Sequence, residues 1–239
     1  MRPSQLRSRD AFSTRAQRFQ PLFVAACLLV AIGCNSDSAA TRAPPAPPAA
    51  PATQSAPTIV FLGDSLTAGF GLSESEALPA LIQKRVDGEH LPYRVINAGR
   101  SGDTTAGGLA RIDWYFKESL DLKALVIGLG SNDAMRGLPL ETMEANLRQM
   151  IERTRARKPA AKIFLWELKT FPNLGQEYAG AYSAVFPRVA QSEGVTLIPF
   201  PLEAVAAHPE LNQSDGIHPT AEGTERVAER VWATLRPNL

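Results

Sequence analysis

The chain has 239 residues, of which 44% are hydrophobic and 21% charged, enough apolar material for the core of one domain or two small ones. Its formal net charge is +1, so composition supplies no electrostatic basis for binding nucleic acid or a strongly charged partner. Two cysteines and three histidines leave little from which to build a disulfide framework or a metal centre.

The first segment reads as a leader. Arg2, Arg7, Arg9, Arg15 and Arg18 stand against a single acid, Asp10, and an uninterrupted apolar run from Pro21 to Gly33 follows. That run is shorter than the ~20 residues a helix needs to cross a bilayer. The order basic, apolar, small describes a secretory signal over residues 1–33. Cys34 follows Ala31-Ile32-Gly33, which resembles the lipobox of bacterial lipoproteins, although Ala31 is less usual there than leucine. The resemblance implies lipidation of Cys34, a membrane anchor and a place in the bacterial cell envelope. The alternative is plain cleavage and a soluble periplasmic or secreted protein. Either way Cys27 leaves with the signal, and no thiol remains downstream of Cys34 for catalysis or metal binding.

Residues 34–57 form an Ala/Pro-rich tether that includes Ala43-Pro44-Pro45-Ala46-Pro47-Pro48. No core can be built from it, and proline fixes its backbone in an extended form. At ~3.1 Å per residue it would hold a domain up to roughly 60 Å from its anchor.

From Thr58 onward short apolar runs alternate with amphipathic ones. Thr58–Leu62, Arg94–Asn97, Ala124–Leu129, Lys162–Trp166 and Val195–Ile198 are near-continuous apolar stretches, as strands covered on both faces should be. Between them lie helical patterns: one containing Leu78, Leu81 and Ile82 and starting after Ser73 or Ser75, one after Asp103-Thr104, one over Glu141–Arg157, one over Tyr178–Glu193, and one over Ala221–Leu235. The alternation predicts a single α/β domain, residues 58–239. Its core is a three-layer, doubly wound sheet of about five parallel strands with helices on both faces.

Such sheets bind ligands at the carboxyl ends of their strands. Gly63-Asp64-Ser65, Ala98–Asp103 and Gly130–Asp133 fall at three of those ends. Far downstream, Asp215-Gly216-Ile217-His218 supplies an acid and an imidazole three residues apart. A serine hydroxyl is a poor nucleophile until an imidazole takes its proton, and that imidazole works best when a carboxylate orients it. Each segment also has a plain structural reading: Ser65 as the end of a strand, Gly102 as a turn glycine, Asn132 as a helix cap. Asp64 and Asp133 read as loop-tying or capping residues, and His90 and His208 as exposed and idle.

Gly63-Asp64-Ser65-Leu66-Thr67-Ala68-Gly69, Ser101-Gly102-Asp103-Thr104, Gly130-Ser131-Asn132-Asp133 and Asp215-Gly216-Ile217-His218 resemble the four blocks of the GDSL, or SGNH, hydrolase superfamily. They are most similar to its subgroup of bacterial thioesterases, lysophospholipases and arylesterases. The resemblance implies a flavodoxin-like fold, Ser65 as nucleophile, His218 as general base and acid, and Asp215 as the residue orienting His218. It also implies an oxyanion hole made of the backbone N–H groups of Ser65 and Gly102 and the Asn132 amide. No cofactor or metal is expected; the partner is a small acyl ester, and the chain is expected to act as a monomer.

Within the segment Leu168–Gly175 this chain departs from that subgroup, with Lys169, Phe171 and Leu174 where arginine, proline and tyrosine are usual. Phe171 and Leu174 are therefore candidates for the substrate lining, as are Phe70 and Leu72. The resemblance implies an esterase acting on carboxylic esters, with thioesters and lysophospholipids as further substrates, and the leader implies that it is exported. An O-acetylesterase of cell-envelope polysaccharide is the alternative. A non-catalytic binding lipoprotein on the same fold is a remote third.

Overall fold

The computed structural model describes residues 56–170 and 174–239. The leader, Cys34, nearly all of the tether, and Phe171 lie outside the described residues. Within them five strands form one parallel sheet in the order β2-β1-β3-β4-β5, where β1 is Thr58–Gly63, β2 Arg94–Gly99, β3 Leu122–Gly128, β4 Lys162–Trp166 and β5 Thr196–Ile198. The direction of winding reverses between β1 and β3, the kind of switch point at which doubly wound sheets open a crevice. Pro57 is already tied to the sheet, because its carbonyl accepts from Arg94 N–H at 2.8 Å.

The inner strands are apolar because both faces are covered, whereas the edge strand β2 is half-exposed. Every residue of β1 is buried, and β3 is buried except at Lys123. The longer helices are α2 (Leu78–Gly88), α5 (Leu140–Arg157), α6 (Gln176–Glu193) and α7 (Ala221–Leu235). Each lays an apolar stripe on the sheet. In α5 the stripe is Met143, Leu147, Met150, Ile151 and Thr154, joined by Asn146. α7 begins where the sequence places it, since the Thr220 hydroxyl accepts from Gly223 N–H and caps the first turn.

Two boundaries differ from expectation. Ser73 caps a short 3₁₀ turn, Glu74–Glu76, and α2 starts only at Leu78 with Pro79 in its first turn. Ala77 is extended between the two, so the single expected helix is split. The segments after β1 and β3 are also not plain loops. They form one-turn helices, α1 (Ser65–Ala68) and α4 (Ser131–Met135), which a run of four or five residues cannot announce by periodicity. The helix after Thr104 is α3 (Thr105–Arg111), capped by the Thr104 hydroxyl.

Candidate active site

Ser65 opens α1 directly after β1. Asp64 caps that helix, its Oδ1 accepting from Leu66 N–H at 3.0 Å. The backbone turns sharply here and leaves no space inside the turn. A Cβ on Gly63 would lie 2.0 Å from the Thr67 hydroxyl oxygen, and one on Gly99 would lie 2.2 Å from Ala68 N. As the first residue of a helix, Ser65 has a backbone N–H without an intrahelical acceptor.

His218 arrives from the segment between β5 and α7. Its Nε2 lies 2.9 Å from Ser65 Oγ, and its Nδ1 lies 2.6 Å from Asp215 Oδ2. The other oxygen of Asp215 accepts from the backbone N–H groups of Ile217 at 2.9 Å and His218 at 3.0 Å. The His218 N–H, the imidazole bond and then the Ile217 N–H hold the Asp215 carboxyl down at about 2, well below the usual carboxylate range. Asp215 is therefore ionised at any pH where an imidazole could act as a base. One face of the imidazole is covered by Phe70, with ring centroids 4.6 Å apart. Gln213 braces this segment. Its Nε2 donates to Phe70 O at 2.7 Å and to Pro219 O at 2.9 Å, while its backbone N–H donates to His218 O at 2.7 Å.

Gly102 follows β2 and Asn132 follows β3, the two strands that flank β1. Gly102 adopts φ +80°, a conformation that penalises any Cβ, although space for one exists beside Arg136. Its carbonyl accepts from Arg136 Nη2 at 2.8 Å. Asn132 is buried in α4, and both hydrogens of its amide are engaged. Nδ2 donates to Asp103 O at 2.9 Å and to Asp64 Oδ2 at 3.3 Å. For this amide to reach an oxyanion, the longer bond must give way.

A buried polar network lies beneath these groups, and the sequence did not announce it. Arg111 Nε donates to Asp103 Oδ2 at 2.6 Å, and its Nη2 to Gly63 O at 3.1 Å. Asp133 accepts from Thr105 N–H at 2.8 Å and from Thr105 Oγ1 at 2.6 Å, and Asn146 donates to the same hydroxyl. Burial raises the carboxyls of both Asp133 and Asp64, the latter to about 6, against the lowering effect of their hydrogen bonds. The spacing of Asp103 and Arg111 across α3 was the one available sequence signal, and it is a weak one.

Beside Ser65 lies a cavity of about 420 Å³. Its walls come from the nucleophile turn, from Ala134 and Met135 of α4, from Lys169 and Thr170 after β4, from Tyr182 of α6, and from Phe200, Leu202 and Val205 after β5. Gly216 and Ile217 close the side nearest the histidine. Leu174 is 38% exposed and is not among the described residues lining this cavity. Apolar residues after β5, which no motif marks, line the cavity where the sequence pointed to Leu174; Phe171 lies outside the described residues. Phe70 borders the site through His218. His208 is exposed and pairs with Glu210, and His90 is exposed with φ 55°. Among the described residues no group of three or more His, Cys, Asp or Glu side chains could hold a metal ion.

Residues 61–226 match the GDSL-like lipase/acylhydrolase family. The chain is 42% identical over 184 residues to a protein of Pseudomonas aeruginosa named esterase TesA, covering 77% of this chain and 90% of that protein. It is 35% identical over 182 residues to thioesterase 1/protease 1/lysophospholipase L1 of Escherichia coli, covering 76% of this chain and 85% of the other. Among solved structures, the psychrotrophic esterase EstA of a Pseudoalteromonas species, inhibited by monoethylphosphonate, is similar with a TM-score of 0.71 and 29% identity. That likeness covers 75% of this chain and 97% of EstA. Sheet order, the placement of the four motif segments and these similarities agree, and the chain belongs to the GDSL-like lipase/acylhydrolase family as a GDSL-type hydrolase.

Proposed function

We propose that this protein is an exported serine esterase that cleaves carboxylic esters through an acyl-Ser65 intermediate. The observation that carries the reading is the unbroken chain of contacts from Ser65 Oγ to His218 Nε2 at 2.9 Å and from His218 Nδ1 to Asp215 Oδ2 at 2.6 Å. In this reading His218 removes the serine proton as Oγ attacks the ester carbonyl, then returns it to the departing alkoxide. Asp215 keeps the Nδ1–H tautomer and faces the imidazolium as it forms. The carbonyl oxygen becomes an oxyanion held by the N–H groups of Ser65 and Gly102 and by the Asn132 amide, which exchanges its bond to Asp64 for one to substrate. Water then attacks the acyl-serine with His218 again as base. This chemistry needs no cofactor.

The size and apolar wall of the cavity favour acyl or alkyl groups larger than acetyl, and so favour a general esterase over an O-acetylesterase of envelope polysaccharide. The names of the relatives include esterase, thioesterase and lysophospholipase, which keeps thioesters and lysophospholipids within the substrate range. Export and anchoring rest on the leader pattern and on Cys34. An envelope location argues against cytosolic acyl-CoA as the working substrate.

The test is direct. A serine-directed phosphonate should label the folded protein at Ser65 and abolish hydrolysis of p-nitrophenyl acyl esters, and Ser65→Ala should remove both labelling and turnover. Hydrolysis retained in Ser65→Ala rejects the nucleophile assignment. Cys34→Ala should release the protein from membranes, and unchanged fractionation rejects the anchor.

A further inference from the structure

The cavity beside Ser65 is asymmetric in charge as well as in position. It runs along the carboxyl edge of the sheet from β1, which carries Ser65, past β3 to the segments that follow β4 and β5. Two to three strand spacings separate its ends, roughly 10–14 Å. The end at Ser65 is lined by the acid Asp64, with the Asp215 carboxylate nearby behind His218. The far end holds one cation, Lys169, three residues beyond the last residue of β4.

The Lys169 ammonium lies 5.1 Å from the centroid of the Phe200 ring, and Phe200 itself lines the cavity. Among the described residues no carboxylate lies within ion-pair distance of Lys169. The nearby Glu167 carboxylate instead accepts from Phe200 N–H. The wall between Lys169 and Ser65 is largely apolar, from Ala134, Met135, Leu202 and Val205. Lys169 is itself exposed, so its ammonium sits at the rim of the cavity over an aromatic face, and it is poorly matched to a purely hydrocarbon guest. An anion reaching that rim gains a solvent-screened pairing that an uncharged guest does not.

We propose that Lys169 is a specificity-determining residue which recognises an anionic group, a carboxylate or a phosphate, on the half of the ester that fills the cavity, roughly 10–14 Å from the scissile carbonyl. This rests on the esterase reading above. The preferred substrate is then an anionic amphiphile with its reactive carbonyl at Ser65, an apolar middle and a charged end at Lys169. The acids beside Ser65 disfavour the reversed placement.

The experiment uses the full chain and two sets of esters. In one set the acyl group ends in a carboxylate and is compared with its methyl-ester-capped counterpart. In the other the alcohol ends in a phosphate and is compared with an uncharged alcohol of equal length. In the wild type, kcat/KM should favour the charged member of one set by about two- to fivefold. The set that shows the preference identifies which half of the substrate occupies the cavity. Lys169→Gln should erase the ratio, Lys169→Glu should invert it and Lys169→Arg should keep it. Equal kcat/KM for charged and uncharged members in both sets overturns the proposal, as does a preference that Lys169→Gln leaves intact. Failure to cleave any ester in either set rejects the esterase reading, and this inference with it.

Discussion

The two halves of the catalytic site are built by opposite strategies. The half that carries Ser65, Gly102 and Asn132 grows from the ends of β1, β2 and β3, and it is knitted from below by buried polar groups. Asp64 is 1% exposed, Asp133 2% and Arg111 5%, and each bonds across segments far apart in sequence. The half that carries Asp215 and His218 is a surface segment bonded mainly to itself. Asp215 accepts from the backbone two and three residues ahead, and Gln213, the Ser65 contact and the Phe70 ring tie the segment to the rest of the site. The difference fits the work that the proposed mechanism gives each half. Donors that stabilise a developing oxyanion must stay fixed, and fixed donors need an over-determined, buried setting. An imidazole that carries a proton in and out needs only the right orientation, which a local acid and a short brace supply.

Substitutions can break this contrast or sharpen it. The largest effect is expected from Ser65→Ala or His218→Ala. Either should lower kcat by about 10⁴–10⁶ with little change in Tm, because neither side chain is part of the buried network. Turnover near wild type would dissolve the pairing of the two halves. Next comes Asn132→Ala. It should cost about 10²–10³ in kcat, with KM altered far less, because the amide acts on charge that develops only in the transition state. A change confined to KM would remove Asn132 from the oxyanion hole.

Arg111→Met addresses the nucleophile half through stability. It leaves Asp103 buried without its cation and Gly63 O with one donor fewer, and should cost about 3–5 kcal/mol in denaturant unfolding. A cost under about 1 kcal/mol would show that the network does not hold this half together. Gln213→Ala addresses the other half. It should lower stability by only about 1 kcal/mol yet reduce kcat, because the brace on the histidine segment is lost. Unchanged kcat would mean that Asp215 alone orients the imidazole.

The smallest and most specific signal is in pH. The buried Asp64 has its carboxyl raised to about 6, so its ionised form opposes folding. That cost is complete above pH 6 and fades as pH falls from 6 toward the ordinary carboxylate range. Asp215 has its carboxyl depressed to about 2, so its contribution is complete above the ordinary range and is lost only as pH falls through 2. Between pH 7 and 5 the Tm of wild type should therefore rise relative to Asp64→Asn. Asp215→Asn should show no such relative change until well below pH 4. Parallel Tm curves for wild type and Asp64→Asn would remove the burial cost assigned to Asp64.

The acid–histidine half was the more legible in sequence, because its defining bonds span two or three residues and a short motif can encode them. The strands were legible for a related reason. A strand covered on both faces is apolar at nearly every position, and Ile59–Leu62 and Ile163–Trp166 meet that requirement after a polar first residue. The short helices α1 and α4 were not legible, since one turn has no period. Nor was the cavity wall, where Phe200, Leu202 and Val205 take the place expected for Leu174. Ordinary apolar residues in a connecting segment carry no mark of the surface they will face.

By itself, the sequence determined the alternation of strands and helices and singled out the serine, histidine and aspartate that the structure brings into contact. These depend on burial pattern or on bonds between near neighbours, which a linear chain records. Only the tertiary structure decided that Arg111 bridges Asp103 and Gly63, that the Asn132 amide is shared between Asp103 and Asp64, and that Lys169 ends an apolar cavity begun at Ser65. Those relations join residues 8 to 104 positions apart, and they come into being only when the sheet sets its strand ends side by side.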